Sequence, residues 1–260
     1  MNLLKQAQQL LTALLGFGLL LLLWQLVNGI WNPSPVVLPS PGATLSALGE
    51  MVCSPPFWHD VSMSLVRVMV GFVSAAVMAV QLGIAVARSN VVNELLQPTL
   101  ATFRSVIPFA WVPLASLWFG LEETGKYFIT WYAAFFVIVF QTEMAIHSVD
   151  RTLVKAGKTL GAGPRDLLLH VYLPAAGPTI LTGLRLGLAF SWISILAAEL
   201  VNSKSGIGYF TLNAAELFES DRAFAAMIVI GGIGFFMDWA FIFIEQRTFV
   251  GYRTDGNTSQ

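Results

Sequence analysis

Six apolar stretches of similar length divide this chain, with charge confined largely to the gaps between them. They run from about Leu10 to Gly29, Val66 to Ala87, Leu95 to Phe119, Tyr127 to Thr142, Pro178 to Val201 and Ala223 to Ile244. Each is close to the roughly 20 residues that carry a helix across about 30 Å of hydrocarbon. The run LLGFGLLLLLWQL is continuously apolar, whereas a barrel strand alternates lipid-facing and lumen-facing residues. The pattern therefore predicts an all-α, polytopic membrane protein of about six transmembrane helices, with residues 1–260 forming a single transmembrane domain. The first stretch, preceded by Lys5, is longer than the roughly 7–15-residue core of a secretory signal. The following NGIWNPSP offers no small-x-small cleavage site, so a retained helix is expected.

Composition agrees with the pattern. Hydrophobic residues make up 56% of the chain and charged ones 11%, against the charged quarter usual in soluble domains, and mean hydropathy is +0.70. The net charge of -1 is less informative than where the 14 Lys and Arg fall. One side of the membrane would carry Lys5, Arg88, Arg151, Lys155, Lys158, Arg165, Arg185, Arg247 and Arg253. The other would carry Lys126, Lys204 and Arg222, with Arg67 and Arg104 inside helices. The positive-inside rule then places both termini, and the loop between the fourth and fifth stretches, in the cytoplasm. Cys53 reads as an apolar filler. His59, His147 and His170 lie in separate segments without metal-ligand spacing, so no metal, cofactor or nucleic-acid partner is expected. The sequon Asn257-Thr258-Ser259 falls in a tail predicted to be cytoplasmic.

The densest positive charge is in KAGKTLGAGPRDLLLHVYLP, Lys155 to Pro174. Its Gly157-Lys158-Thr159 does not make a phosphate-binding loop, because position 152 is Thr where the first glycine of G-x-x-x-x-G-K-[ST] belongs. The near match GLEETGKY at Gly120 to Tyr127 ends in Tyr, follows no strand and carries two carboxylates. Leu153, Ala156 and Leu160 recur at helical spacing, Gly161-Ala162-Gly163 breaks the helix, and Pro164 suits the first position of a second one. Leu167, Leu168, Val171 and Tyr172 give that second helix an apolar face, and Pro174 is expected to end it. The result is a basic knob at residues 151–174. Charge alone does not separate a loop resting on anionic membrane lipid from a docking surface.

The spacing Ala156, Gly161, then Val171-Tyr172-Leu173-Pro174 resembles the EAA signature of the membrane subunits of bacterial ABC importers. GPTILTGLRLGLAFSWISILAAELV, SLVRVMVGFVSAAVMAVQLGIAVA and IPFAWVPLASLWFG are similar to helices of the nitrate, taurine and sulfonate branch. The resemblance covers about His59 to Asp238, within a core at 59–246. It departs at Lys155, where the signature has Glu, and at Gly157, where it has Ala. It implies a type I importer fold in the bacterial inner membrane, and a translocation pathway for a small, mostly anionic solute such as nitrate, a sulfonate, taurine or bicarbonate. It also implies a coupling helix that docks on a separate ATPase dimer, a second permease copy, and a periplasmic or lipoprotein substrate-binding protein. The chain itself would be no enzyme. On this basis Arg151, Lys155, Ala156, Lys158, Leu160, Gly161, Arg165, Leu167, Leu173 and Pro174 are the expected docking positions, with Ala156, Leu160 and Leu167 filling a partner's pocket.

Ionisable residues inside membrane segments usually face a polar interior or each other. Arg67 and Glu143 lie near predicted helix ends, where snorkelling is the cheaper reading. Arg104, Glu199 and Asp238 are candidates for the pathway or a gate. Arg104 shares its segment with Pro98, Pro108 and Pro113, which predicts an irregular helix facing the subunit interior. A structural pair with Glu143, Glu199 or Asp238 is the alternative for it. Glu199 would line an outer gate or accept hydrogen bonds from Ser203 and the following glycine-rich turn. Phe109, Trp111, Trp118, Trp131, Trp192 and Trp239 read as interface anchors or packing residues. The loops Trp31 to Asp60 and Asn202 to Arg222 form the expected landing surface for the binding protein. An autonomous ion-coupled transporter or channel remains the other functional class, although it would call for inverted repeats that the sequence does not display.

Overall fold

The computed structural model describes residues 2–120 and 122–248. The sequon, Arg253 and Leu121 lie outside the described residues. Among those described, every regular element is helical: α1 (Asn2–Trp31), α2 (Pro41–Val52), α3 (Pro55–Arg88), α4 (Asn90–Arg104), α5 (Val112–Phe119), α6 (Glu123–His147), α7 (Arg151–Thr159), α8 (Pro164–Leu167), α9 (Leu173–Asn202), α10 (Ile207–Glu216) and α11 (Ser220–Thr248). Four spans, at Pro55–Arg88, Glu123–His147, Pro164–Val201 and Ser220–Glu245, are long and apolar enough to cross a membrane. The pair Asn90–Arg104 and Pro108–Phe119 makes a fifth if its two halves count as one span, and Gly18–Trp31 of α1 is a shorter apolar stretch.

The third apolar stretch is thus not one helix but two, bent by 86°. Pro108 opens the second half after an extended Ile107, as expected of a residue before proline, which is steered out of the helical region. Pro98 is tolerated within α4. Two boundaries also move. The helix expected from Val66 starts at Pro55, with proline in its first turn, so Arg67 is twelve residues inside it rather than at its end. The fifth helix does not stop at Pro174 and restart at Pro178. Pro174 lies in the first turn of α9, and a π-helical turn at Leu168–Tyr172 joins α8 to it. That wider turn relieves the clash proline makes with the preceding helical turn. Arg185, counted above with the charges on one side of the membrane, lies within α9. Both presumed outer loops hold helices, α2 and α10.

Helix α6 is the hub. Its span is 67% buried, against 33% for α3 and none of the α11 window, and it lies between α3 and α9. Close approach on one side is set by Gly71, Ala75, Ala79 and Gly83, all buried and four residues apart along α3. A Cβ on Gly83 would come within 2.7 Å of the Val139 carbonyl oxygen, and one on Gly71 would collide with Thr130. On the other side a Cβ on Gly183 or Gly187 would meet Gln141 at 2.6 Å or Ile138 at 2.7 Å. Small residues at i and i+4 let membrane helices come close enough for dispersion to hold them, since lipid tails compete for any looser apolar contact. Ser191 adds a buried hydrogen bond to the Thr130 carbonyl at 2.9 Å. By contrast α1 presents Leu19, Leu20, Leu22 and Leu23 outward. It is fixed at one end by Trp24 and Asn28, which donate to the Pro39 carbonyl at 3.1 and 3.0 Å.

This packing generates a prediction. Gly83→Leu should separate α3 from α6 and lower stability by about 1–3 kcal/mol or more, the usual cost of overpacking. The same change at Gly231, whose Cβ position is open, should cost far less. Unfolding of the purified proteins in mixed micelles measures both.

Candidate functional site

Three groups of polar side chains stand out, at opposite ends of the helices and at the bend between. The first closes the end where α6 begins. Arg67 is fully buried, and each of its five N–H groups has a partner. Nε donates to Glu123 Oε2 at 2.5 Å and Nη2 to Glu123 Oε1 at 2.8 Å. Nη1 donates to Glu199 Oε1 at 2.7 Å and to the Ser205 carbonyl at 2.8 Å, while Nη2 also reaches Ser205 Oγ at 2.8 Å. Lys126 Nζ donates to Glu123 at 2.9 Å. Two cations therefore face two carboxylates, and the planar guanidinium suits such a fork as an ammonium could not.

The turn before α10 completes the group. Glu199, also fully buried, accepts from Ser64 Oγ at 2.7 Å and from the backbone N–H of Gly208 at 3.0 Å. The N–H groups of Ile207 and Gly206 donate to Ser64 Oγ at 2.9 Å and Asp60 Oδ1 at 2.8 Å. Gly206 has φ +113, a region side chains avoid, and a Cβ there would strike the Glu199 carboxylate. The expectation that Arg67 snorkels is overturned, because it sits too far inside α3 and its charge is met there by Glu199 and Glu123. Of the partners expected for Glu199, the glycine-rich turn takes part. Ser203 does not, since it donates to the Ser205 carbonyl. Glu143 is also drawn inward, accepting from Gln97 Nε2 at 3.0 Å.

The bend of the broken span carries Arg104. It takes none of the three carboxylates proposed for it, since Glu143 is engaged by Gln97, Glu199 by Arg67 and Asp238 by Arg185. It is exposed, with its guanidinium 4.6 Å from the centre of the Phe140 ring. Trp111 lies against Tyr132 and Trp118, at 5.3 and 6.0 Å, and Tyr132 donates to the Phe103 carbonyl. These aromatics brace the bend. Asp238, on α11, accepts from Arg185 Nη2 at 2.7 Å and from its Nε. This half-exposed pair borders a cavity of about 250 Å³ lined mainly by apolar residues including Leu188, Trp192 and Phe241.

The third group is the knob at the opposite end. Asp150 caps α7, accepting from the Thr152 N–H at 2.7 Å. That backbone hydrogen bond, with a smaller one from the Thr152 side chain, holds the Asp150 carboxyl below its ordinary range. A carboxylate so depressed keeps its cap at neutral pH and loses it only as pH falls through its lowered value. Gly161 takes φ +84 and turns the chain, and Asp166 accepts from the Gly163 N–H at 3.2 Å as α8 begins. Gly157, where the signature has Ala, lies against α8: a Cβ there would come 2.8 Å from Leu167 Cδ2 and move that side chain. Leu167 is buried at 6% exposure, so it binds α7 to α8 and is not free to fill a partner's pocket. Leu173 and Pro174 are half-buried. Ala156, Leu160, Lys155, Lys158, Arg151 and Arg165 are exposed.

Broken and unbroken spans packed around one buried helix, with a short helical knob between the second-last pair, define a multi-pass membrane transport subunit. Residues 71–250 match the family described as binding-protein-dependent transport system inner membrane component. The chain belongs to that family, in the branch of the taurine, sulfonate and nitrate ABC importer permeases. It is 36% identical over 238 residues to a protein of Methanocaldococcus jannaschii named as an ABC transporter permease, covering 90% of this chain and 89% of the relative. It is 32% identical over 235 residues to the taurine transport system permease protein of Escherichia coli, covering 88% and 86%. The fold is similar to that of a chain in an inward-facing methionine ABC transporter, with TM-score 0.61 at 16% identity, covering 73% of this chain and 93% of the other.

The two arginine pairs should differ in strength. Arg67→Ala strands the buried Glu199 carboxylate and should cost about 3–5 kcal/mol. Arg185→Ala opens a pair whose side chains are 34% and 42% exposed, leaves no buried carboxylate stranded, and should cost less. Unfolding in mixed micelles should rank them in that order, and Arg67→Ala with Glu199→Leu should recover part of the loss.

Proposed function

We propose that this permease imports a small anionic solute by docking its knob, residues 151–174, on a separate ATPase dimer at the cytoplasmic face. Both termini would then be cytoplasmic, and ATP hydrolysis belongs to the partner. The observation that carries the reading is the outward face of α7. Leu153 and Leu160 are 51% and 87% exposed, and Ala156 lies between them on the same side at helical spacing. An apolar strip on a short helix that no described residue covers suits a partner's groove, with the exposed Arg165 of the same knob available to supply register.

Arg104 supports the anionic pathway. It stands roughly 21 Å along α4 at 1.5 Å per residue, within a span and on the surface of the single chain. An exposed guanidinium at that depth is costly against lipid and tolerable against water. A second copy of the chain facing this bend, across the exposed Ile107, Phe109 and Leu117, would enclose a wet path on which Arg104 favours negative charge. Relatives named as taurine, sulfonate and nitrate permeases support the same class of cargo. The far end, with α2 and α10, is where a soluble binding protein would deliver it. Glu199 and Asp238 are held in ion pairs and have structural rather than solute-binding roles in this reading.

Gly161→Pro tests the coupling, because proline cannot adopt φ +84, as does Ala156→Asp, which puts charge in the apolar strip. In vesicles containing permease, ATPase and binding protein, either change should leave insertion and ATP hydrolysis in place while solute uptake falls at least tenfold. Uptake at the unaltered rate would overturn the knob as the coupling element, and uptake by the permease alone would favour an autonomous transporter.

A further inference from the structure

Helix α7 has a second face, turned away from the apolar strip. At about 100° per residue, Arg151, Val154, Lys155 and Lys158 fall on one side, and Leu153, Ala156 and Leu160 on the opposite one. The basic face lines a cavity of about 650 Å³ between the knob and the adjoining ends of α3 and α6. Arg88 and His147, from the last turns of those spans, and Tyr172 line the other wall. Arg88 is held there with its guanidinium 5.5 Å from the centre of the Tyr172 ring. No carboxylate contributes to this lining, and among the described residues none forms an ion pair with Arg88, Arg151, Lys155 or Lys158. Four permanent cations thus line one space large enough for a polar group, and among the described residues no carboxylate in that lining offsets them, so an anionic ligand would be favoured there.

We propose that this cavity binds a phosphate group, presented by the headgroup of an anionic membrane lipid such as phosphatidylglycerol. The walls favour the lipid as source. Arg88 and His147 end the two spans, so the cavity lies at the depth of the headgroups, where each Lys or Arg is drawn to anionic lipid. Tyr172 is a residue suited to that interface. Arginine and lysine together provide both forked and point-like donors for a phosphodiester. Lys155 then has a role. A glutamate at this position, as in the signature the loop resembles, would supply the cavity with its own counter-charge. Lysine makes the wall wholly basic and leaves the negative charge to a ligand.

The test uses the full chain in nanodiscs of phosphatidylcholine with a minor share of phosphatidylglycerol, and counts retained lipids by native mass spectrometry. The unaltered chain should keep phosphatidylglycerol in preference to phosphatidylcholine. Lys155→Glu should reduce that retention on the order of tenfold. Arg165→Glu, an equal charge change on the same knob but outside the cavity lining, should leave it unchanged. Equal losses in the two variants would show a diffuse surface charge and overturn the site. Displacement of the lipid by millimolar inorganic phosphate would overturn the lipid as source. Retention unaltered in Lys155→Glu, with loss of ATPase binding instead, would assign the cavity to acidic residues of a protein partner. None of these readouts depends on transport, so failure here is distinguishable from failure of the coupling reading.

Discussion

A guanidinium buried among membrane helices has to be met by negative charge, and Arg67 is the point where this requirement organises the molecule. Its partners come from three separate elements: Glu123 at the start of α6, Glu199 near the end of α9, and Ser205 in the turn that follows. Removing water from so many charges is expensive, and only full hydrogen bonding compensates for it. The glycines answer that demand. Gly206 and Gly208 admit the Glu199 carboxylate, while Gly71, one turn from Arg67, lets α3 approach α6 at Thr130. Polar satisfaction at one end and close apolar packing along the shaft are parts of one arrangement.

The two ends of that arrangement differ in a way that matters for a transport subunit. At the far end, the Arg67 cluster balances its charges within the chain, with Arg67 and Glu199 fully buried. At the knob end the basic side chains are exposed, and α9 is one of three helices, with α3 and α6, that run from that end to the other. The π-helical turn at Leu168–Tyr172 joins α8 directly to α9, and α9 carries Glu199 at its other extreme. A displacement of the knob therefore has a mechanical path to the far end through one continuous helical segment, which is what rigid-body coupling requires. The broken span packs against α3, α6 and α9 and is braced by aromatic contacts at its bend.

Much of this was legible in the amino-acid sequence. Hydropathy located the spans, and Gly161 and Pro164 marked the knob, because turn chemistry and apolar length are local properties. What escaped was pairing across distance. Arg67 looked like a snorkelling residue when the helix was thought to begin at Val66, yet it stands four residues before Gly71 and so shares the face of Gly71, Ala75, Ala79 and Gly83. Glu199 likewise continues the four-residue spacing of Gly183, Gly187, Ser191 and Ile195. A charged residue in register with a stripe of small ones points at a neighbouring helix rather than at lipid, and that signal was present. Arg104 offered no such register, and its exposure at a bend could not be deduced from proline positions alone. Leu167 was misread because apolar residues in a docking loop can bind the loop to itself as readily as to a partner.

The knob also shows why charge and pattern alone left two readings of the loop open. Lipid contact and partner docking looked like alternatives because both were ascribed to one undivided basic segment. The helix separates them by geometry. Its apolar strip, Leu153, Ala156 and Leu160, points away from the bundle, and its basic residues point back toward the ends of α3 and α6. In the proposed arrangement, steering by the outward side would rest on Arg165, while Arg151, Lys155 and Lys158 line the cavity at the membrane side. A helix nine residues long has room for both faces because the 3.6-residue repeat places them half a turn apart. Under the proposed lipid site, the glutamate-to-lysine departure at position 155 would sit on the cavity side of the knob, apart from the apolar strip offered to an ATPase.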